Sequence, residues 1–573
     1  MEIPASELSR GMRTFPQRPS LWNARTRWLL IFAAALLWSL VQAGIFSGQT
    51  LVNSGGWPQF AAFWRAAFQP TLTADFLALT LQATLVTLAY AVGGIFISLL
   101  FGAVLGLLAS ELWWESFWPR RSALRRGPWA AIRGLLAIPR GIHELLWGLL
   151  FINIFGLDPL AAVLAIVVPF SAILAKVFAE ILDEAPRQAY LALLNSGVSP
   201  LKAMLYGLLP EVAADLLSYT FYRFECAIRA AAVLGVIGAG GLGYQILLSM
   251  QTLNYNETWT LFYALLLLSG VADAWSAQIR KRLGRSGVVE AALGGANDGR
   301  LPAMVPFDRF LRASIWVIMI MTPLSFLYLN PTWSLIWADR SRMLLADIAG
   351  QAWPPALTGE GVQELFHLSG LTLAMSILAA SLAALGGTLF SFPAARYFGR
   401  FNRGQEKLWR RSWRSGLLVA VRALLLLMRA IPAPVWALLL LFVFFPGMLP
   451  GALALAIYNL GVLGRLMAEV TENQDERPSQ VLRSAGAGAG ATFLYGLVPA
   501  VTPRYISYSL YRWENAIRET VVVGLVGAGG LGRALSMGLS AFNYRAVLLL
   551  LICLVILTFA VDMISAAVRR SLR

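Results

Sequence analysis

The stretch that decides the fold occurs twice in the chain. Residues 222–243 read YRFECAIRAAAVLGVIGAGGLG, and residues 511–532 read YRWENAIRETVVVGLVGAGGLG. The two stretches lie 289 positions apart and share 14 of their 22 residues. The same offset, without a gap, also pairs residues outside them: Arg140 with Arg429, Glu180 with Glu469, Pro210 with Pro499, and Asp273 with Asp562. A long repeat with one fixed offset indicates a duplicated domain rather than a solenoid unit. We therefore interpret the chain as a pseudo-dimer on a single polypeptide.

The composition indicates that lipid is the main solvent of this protein. Hydrophobic residues make up 58% of the 573 residues, charged residues only 13%, and the mean hydropathy is +0.66. Ordinary soluble domains contain roughly a quarter charged residues. The net charge of +16 comes mainly from arginines in short runs between apolar stretches, a pattern typical of membrane topology rather than of nucleic-acid binding. The sequence thus predicts an all-α integral membrane protein.

Twelve apolar stretches, six in each half, predict about 12 transmembrane helices in two tandem bundles related by a pseudo-two-fold axis. The first stretch is interpreted as a retained helix, because it lacks a convincing cleavage site. The predicted spans lie at about 28–46, 76–109, 130–156, 158–178, 211–249, 259–279, 311–329, 369–392, 416–446, 449–468, 500–539 and 545–568. The fifth run of each half is long enough for one span plus a broken end.

Charge asymmetry predicts the orientation and the domain boundaries. The segments 110–133, 280–285 and 396–414 and the C-terminal tail carry runs of arginines, whereas the alternate loops 47–75 and 250–258 carry one arginine between them, so both termini are expected in the cytoplasm. The predicted organisation is as follows: a cytoplasmic N-terminal segment at 1–27, a first transmembrane domain at 28–282, a cytoplasmic linker at 283–308 and a second transmembrane domain at 309–573.

A polar segment separates the fourth and fifth spans of each half, at 189–210 and 479–500. Each segment contains a glycine and, thirteen residues later, a proline preceded by an aliphatic residue. The residues concerned are Gly197, Leu209 and Pro210 in the first half and Gly486, Val498 and Pro499 in the second. One copy alone would be read as a loop with a helix start at proline. Two copies at matched positions favour a docking surface for a two-fold partner, and we call them the coupling segments.

These residues resemble a known family. The glycine-to-proline spacing is similar to the coupling segment of ABC importer permeases, although Leu191-Ala192-Leu193 and Gln480-Val481-Leu482 replace the usual opening Glu-Ala-Ala. The repeated Tyr-Arg-aromatic-Glu-x-Ala-Ile-Arg stretch and its Gly-rich end resemble, more narrowly, the phosphonate/phosphite-type permeases. Arg429-Ala-Ile-Pro432 fits the same family, whereas His143 stands in place of that proline in the first half. The resemblance covers spans two to six of both halves.

The Gly-rich strings match G-x-G-x-x-G, but a nucleotide site is not favoured, because a long apolar helical run precedes each string. Two readings stay open: close helix packing through small residues, and a flexible break at the outer end of the fifth span that acts as a gate. The glycines concerned are Gly238, Gly240, Gly241 and Gly243, and Gly527, Gly529, Gly530 and Gly532.

Charged residues within the apolar runs are the candidate translocation path. Glu225 with Arg229, and Glu514 with Arg518, lie at i, i+4 on a helix face. Charges at membrane depth cost at least about 2.5 kcal/mol, which favours a functional role, although a self-neutralising structural pair is the plain alternative. Arginine suits an oxyanion because its planar fork donates two hydrogen bonds at once. Arg140 and Arg429 are expected in the inner cavity, whereas Lys176/Glu180 and Arg465/Glu469 are expected as interfacial anchors.

The resemblance implies a type I ABC importer permease that moves phosphonate, phosphite or a related oxyanion across the bacterial inner membrane. Two copies of a cytoplasmic ABC ATPase and a periplasmic or lipid-anchored substrate-binding protein are the implied partners. The sequence contains no G-x-x-x-x-G-K-[ST] motif, so ATP hydrolysis is expected on another chain. With two cysteines and two histidines, no catalytic residue, metal or cofactor is predicted. The alternatives are the same architecture importing methionine or an inorganic oxyanion, and a secondary transporter that works without an ATPase.

Overall fold

A computed structural model of the chain describes residues 24–46, 48, 50–117, 123–293, 308–355, 361–396 and 408–572. Within these ranges the chain is helical apart from connections and one isolated bridge between Val52 and Phe444. The first-half helices are α1 Ala24–Gln42, α2 Trp57–Ala66, α3 Ala74–Ala109, α4 Glu111–Phe117, α5 Ala123–Gly141, α6 Glu144–Phe155, α7 Pro159–Glu184, α8 Gln188–Asn195, α9 Pro200–Ala203, α10 Leu209–Leu234, α11 Gly241–Gln251 and α12 Tyr255–Leu293. The second-half helices are α13 Arg309–Leu329, α14 Asp339–Ala352, α15 Val362–Ala394, α16 Leu408–Ala430, α17 Ala433–Val443, α18 Met448–Glu472, α19 Arg477–Ser484, α20 Ala489–Ala491, α21 Val498–Val523, α22 Gly530–Ser540 and α23 Tyr544–Leu572.

The prediction of an all-helical membrane protein is confirmed. In the described part of the chain, seven helices are long and apolar enough to cross a membrane, namely α3, α7, α12, α13, α15, α18 and α23. Four bent pairs raise the number of candidate spans to 11: α5 with α6 (83°), α10 with α11 (56°), α16 with α17 (96°) and α21 with α22 (68°). The first predicted span coincides with the shorter apolar helix α1. The broken end of the fifth run was predicted, but the bend within the third span was not.

Small residues let the long helices of each half approach closely. In the first half, a Cβ added at Gly94 would lie 2.8 Å from Cγ2 of Ile166, and one at Gly102 would lie 2.7 Å from Cβ of Leu174. In the second half, Gly386 contacts Leu460 in the same way. Because lipid offers no hydrophobic force between helices, close packing through such residues holds membrane bundles together. The pairs α3–α7 and α15–α18 therefore form matching cores of the two halves.

The first helix of each half packs on the other half. Helix α1 lies on α15, and its Phe32 ring meets that of Trp513 in α21 edge-on, with centroids 5.8 Å apart. Helix α13 lies on α3, and Ser314 accepts a hydrogen bond of 2.9 Å from Nε1 of Trp275 in α12. The two halves thus exchange their first helices. This exchange leaves no trace in the apolar pattern of the sequence.

Candidate functional site

A cavity lies between the two halves. Its wall comes from α5, α6, α7 and α10 of the first half and from α17, α18 and α21 of the second. Glu144 and Glu519 are the carboxylates among its lining residues, against five arginines: Arg140, Arg223, Arg229, Arg512 and Arg518. A cleft lined by an excess of one charge in low-dielectric surroundings concentrates ions of the opposite sign. The cavity is therefore suited to an anion.

Helical periodicity explains how the repeated stretch reaches this cavity. On α10, Tyr222, Cys226, Arg229 and Val233 all line the wall, at spacings of three or four residues. The matched face of α21 contributes Tyr511, Asn515, Arg518 and Val522. Residues at these spacings share one face of an α-helix. The stretch that reveals the duplication is therefore the one that lines the cavity from both sides.

Arg229 and Arg518 both line the cavity, but their partners differ. Arg229 donates to Glu225 Oε1 at 3.3 Å and to the Cys226 thiol sulphur, also at 3.3 Å. Arg518 donates to neutral oxygens instead, at 2.8 Å to the carbonyl of Arg140 and at 2.6 Å to Oδ1 of Asn515. The self-neutralising pair considered from the sequence forms in the first half only.

In the second half, an arginine from another helix forms an ion pair with the carboxylate of Glu514. Arg569 in α23 donates to Glu514 Oε1 at 2.6 Å, whereas Arg518 contacts only the Glu514 main chain through its Nε at 3.3 Å. Glu514 does not line the cavity. The i, i+4 spacing predicted a local pair, but the packing of α23 supplies a competing arginine that the spacing could not reveal.

A second cavity lies next to the first and shares Tyr222, Arg229 and Val462 with it. It runs along α10 toward the coupling segment, as far as Asp215. Arg429 lines this second cavity rather than the first. The two cavities together follow the boundary between the halves.

A cluster of ion pairs joins the two halves beside the second cavity. Arg429 of α16 contacts both Glu225, at 3.1 Å, and Asp273 of α12. Arg465 of α18 lies 2.8 Å from Asp273. The matched contact on the other side, between Arg140 and Asp562, measures 3.8 Å and is more exposed. Arg465, expected as an interfacial anchor, thus takes part in the contact between halves.

The sequence singled out neither Arg223 nor Arg512 as a site residue. Both occupy the second position of the repeated stretch, and their identity in the two copies was the available signal. Glu519 was also missed, because its counterpart in the first half is Ala230 and the repeat therefore does not mark it. Asp273 and Asp562 were visible only as a matched pair in the repeat.

The Gly-rich strings form the predicted break in the fifth span. The φ angles of Gly238 and Gly240 are +95° and +86°, and those of Gly527 and Gly529 are +112° and +83°. Side chains other than glycine rarely adopt this left-handed region. In the first half, the hydroxyl of Thr87 accepts a hydrogen bond of 2.8 Å from the Leu242 amide just beyond the break.

Thr372 makes the same contact in the second half, at 2.9 Å from the Leu531 amide. Glycines of the strings also pack closely. A Cβ at Gly241 would lie 2.6 Å from Thr87 Oγ1, and one at Gly530 would lie 2.7 Å from Thr372 Oγ1. The break and the close packing therefore occur together, as two aspects of one geometry.

The coupling segments have the same backbone in both halves. Gly197 ends α8 with φ +82° and Gly486 ends α19 with φ +85°. In the first half, the amide of Val198 donates to the Leu193 carbonyl and that of Gly197 to the Leu194 carbonyl. The matched amides of the second half donate in the same pattern, which is the Schellman ending of a helix.

Beyond each of these turns, one tyrosine stands out from the surface. Tyr206 and its repeat counterpart Tyr495 are each 76% exposed, next to the exposed Leu205 and Leu494. Pro210 and Pro499 lie in the first turn of α10 and α21, where a missing amide proton is tolerated. The two segments thus present equivalent apolar surfaces.

Comparison with known proteins matches these features. The family model described as a binding-protein-dependent transport system inner membrane component matches twice, over residues 121–285 and 410–573, together more than half of the chain. The phosphate-import permease protein PhnE of Mycolicibacterium smegmatis is 25% identical over 443 residues, which cover 77% of this chain and 78% of that protein. The phosphite transport system permease protein PtxC of Stutzerimonas stutzeri is 32% identical over 228 residues, which cover 39% of this chain and 77% of that protein.

No solved structure gives a significant match. The two matched segments contain the repeated stretch, the coupling segments and the Gly-rich strings of both halves. The expected ABC permease architecture, with two tandem transmembrane domains on one polypeptide, is confirmed by this double match. The chain therefore belongs to the family of binding-protein-dependent transport system inner membrane components and carries the domain of that family twice.

Proposed function

We propose that this chain is the permease of an ABC importer that carries a small phosphorus oxyanion such as phosphate, phosphite or a phosphonate. The observation that carries the proposal is the arginine-rich cavity shared by the two halves. Arginine presents a planar fork of donors that matches a tetrahedral oxyanion. The names of the two relatives, which refer to phosphate import and phosphite transport, support the same class of substrate.

The arginines of the cavity are proposed to have different roles. Arg229 and Arg518 reach the cavity from opposite halves and lower the barrier for a passing anion. The guanidinium of Arg518 meets neutral acceptors, so no carboxylate in contact neutralises its charge. Arg140 is proposed to hold Arg518 in place through its carbonyl. Arg429 is proposed to fasten the halves together, because Glu225 and Asp273 both contact it.

Two copies of an ABC ATPase are proposed to bind at the coupling segments. Tyr206 and Tyr495, which are equally exposed at matched positions, support a partner that is itself two-fold. In this proposal the coupling segments and both chain termini face the cytoplasm of a bacterial cell, and a substrate-binding protein delivers the anion from outside. Closure of the ATPases moves the coupling segments and swings the halves about the cavity.

The glycine breaks are proposed as the outer gate. The left-handed glycines bend α10 against α11 by 56° and α21 against α22 by 68°, beyond the arginines in the chain direction away from the coupling segments. A change of a few backbone angles at these glycines would redirect α11 and α22 with little strain. The hydroxyls of Thr87 and Thr372 would hold the closed arrangement.

Transport in proteoliposomes tests the proposal. The chain is reconstituted with the ATPase and the substrate-binding protein that are encoded by neighbouring genes. Uptake of labelled phosphate, phosphite, methylphosphonate and methionine is measured with and without ATP. We expect ATP-dependent uptake of at least one phosphorus oxyanion and none of methionine.

The Arg229→Met/Arg518→Met double variant is expected to assemble normally and to lose uptake of the anion. Uptake of methionine alone, or uptake that an ion gradient drives in the absence of the ATPase, would refute the proposal. Wild-type uptake in the double variant would instead refute only the assigned roles of these two arginines.

A further inference from the structure

The two halves differ at one pair of matched arginines in the cavity. Arg512 of the second half donates to Glu519 Oε1 at 2.8 Å, so a carboxylate about two turns further along α21 neutralises it. The other oxygen of Glu519 accepts a hydrogen bond of 3.0 Å from Asn459. Arg512 and Glu519 thus form a complete ion pair within the second half.

Arg223, at the matched position of the first half, has no carboxylate partner among the described residues. Its guanidinium carbon lies 4.1 Å from the centre of the Phe170 ring. The residue is 9% exposed, its Nε makes no hydrogen bond, and it lines the cavity. A buried cation without a counter-ion is costly, which is why such groups at membrane depth are functional by default.

Two substitutions between the copies produce this difference. Ala230 in the first half stands where Glu519 stands in the second, and Phe170 stands where Asn459 stands. The first half has therefore exchanged the carboxylate and its supporting amide for a methyl group and an aromatic ring. The ring stabilises the cation through its face without neutralising it. Of the two arginines at this matched position, Arg223 alone lacks a carboxylate partner in the described part of the chain.

We infer that the transported anion binds against Arg223, off the pseudo-two-fold axis, and that Arg512 is a structural counterpart of this site. The inference rests on the proposed function and adds the position of the substrate within the cavity. Arg223 is poised to supply the charge-assisted hydrogen bonds that a phosphorus oxyanion requires. The charge of Arg512 is already neutralised by its ion pair with Glu519.

Matched variants distinguish the roles of Arg223 and Arg512. Arg223→Gln removes the free cation, whereas the control Arg512→Gln/Glu519→Gln removes a complete ion pair and leaves the net charge of the cavity unchanged. Uptake of phosphate, phosphite and methylphosphonate is measured in proteoliposomes, together with ATP hydrolysis stimulated by the loaded substrate-binding protein. We expect Arg223→Gln to lower uptake about tenfold or more, and the control to stay within about twofold of wild type.

Stimulated ATP hydrolysis distinguishes an anion contact from a structural role. If Arg223 contacts the anion, the variant keeps its stimulated hydrolysis and transports fewer anions for each ATP. If Arg223 only supports the fold, hydrolysis and uptake fall together, and that result would overturn the inference.

An exchange of one carboxylate gives a second test that does not remove Arg223. Ala230→Glu places a carboxylate about two turns beyond Arg223, as in the second half, and is expected to block uptake. Ala230→Gln has the same size without the charge and serves as its control. Adding Glu519→Ala to Ala230→Glu frees Arg512 and should restore part of the uptake.

The outcomes keep the two proposals apart. Equal uptake by Arg223→Gln and by the Arg512→Gln/Glu519→Gln control, or normal uptake by Ala230→Glu, would overturn the inference while the proposed function stands. Absence of phosphorus oxyanion uptake by the wild-type assembly would overturn the proposed function itself.

Discussion

At the scale of single residues, glycines determine how closely the two helices of each broken span pack against each other. Beyond the break, Gly243 lies so near α10 that a Cβ would sit 1.8 Å from the carbonyl oxygen of Ala232. The matched Gly532 would place a Cβ 2.4 Å from the carbonyl oxygen of Val521. Backbone atoms of a helix cannot yield as a flexible side chain can. These two glycines are therefore required by contact rather than by their own backbone angles.

We predict that Gly243→Ala destabilises the protein by about 1 to 3 kcal/mol, because the added methyl group overpacks α11 against α10. The measurement is thermal unfolding of the purified protein in detergent. Gly134→Ala is the matched control, since no atom lies within 4 Å of a Cβ at Gly134. An unfolding temperature of Gly243→Ala equal to that of Gly134→Ala would show that α11 can move away from α10 at no cost.

The sequence could predict many individual site residues but not their partners. Arg140, Arg229 and Arg518 were expected near the path, and all three line the cavity. Spacing along one helix predicted the contact between Glu225 and Arg229. Spacing could not predict that Arg569 would pair with Glu514, or that Arg223 would lack a carboxylate partner. Those outcomes depend on which other helix packs against α10 or α21.

At the scale of elements, the apolar pattern predicted the spans but missed the bend in the third span of each half. The bend between α5 and α6 measures 83° and that between α16 and α17 measures 96°. The two helices of each pair together contain one apolar stretch long enough for a span, so hydropathy shows one continuous run. The broken end of the fifth run was predictable because glycines interrupt it. A proline at Pro432 was the corresponding local signal in the third span of the second half.

The coupling segments give a prediction at this scale. We expect the Tyr206→Ala/Tyr495→Ala double variant to lose binding of the ATPase, since each change removes an exposed aromatic anchor. A truncated anchor of this kind costs about 2 kcal/mol or more, which is roughly a thirtyfold loss of affinity for each side. Co-purification of the ATPase with the tagged chain measures the effect.

Tyr328→Ala is the control for that experiment, because Tyr328 is exposed on α13, away from the coupling segments. Retention of the ATPase by the double variant, at the level seen for Tyr328→Ala, would show that docking uses another surface. Each single variant is expected to bind with intermediate affinity, because the two sites are equivalent by the repeat.

At the scale of the whole molecule, the two halves are alike in sequence but are fastened unequally. Arg429 and Arg465 of the second half converge on Asp273 of the first, and this contact is buried. The matched contact between Arg140 and Asp562 is longer and more open to solvent. The repeat predicted that these residues correspond, but not that they would meet across the boundary.

We predict that Asp273→Asn destabilises the protein far more than Asp562→Asn. Removing one partner of a buried ion pair costs about 3 to 5 kcal/mol, because it leaves charge uncompensated. A solvent-exposed pair contributes about 0 to 1 kcal/mol. Thermal unfolding of the two variants, compared with wild type in one detergent, measures the difference. Equal shifts in unfolding temperature would mean that the two sides of the boundary are equally strong.

The exchange of α1 and α13 bears on how the two copies came to share one chain. Because the first helix of each copy packs on the other copy, these contacts between the halves do not depend on the covalent link between residues 293 and 308. Two copies made as separate polypeptides would therefore be expected to associate through the same helix contacts. Joining their genes would then add proximity and a fixed stoichiometry, and it would free each copy to diverge, as Ala230 and Glu519 have done.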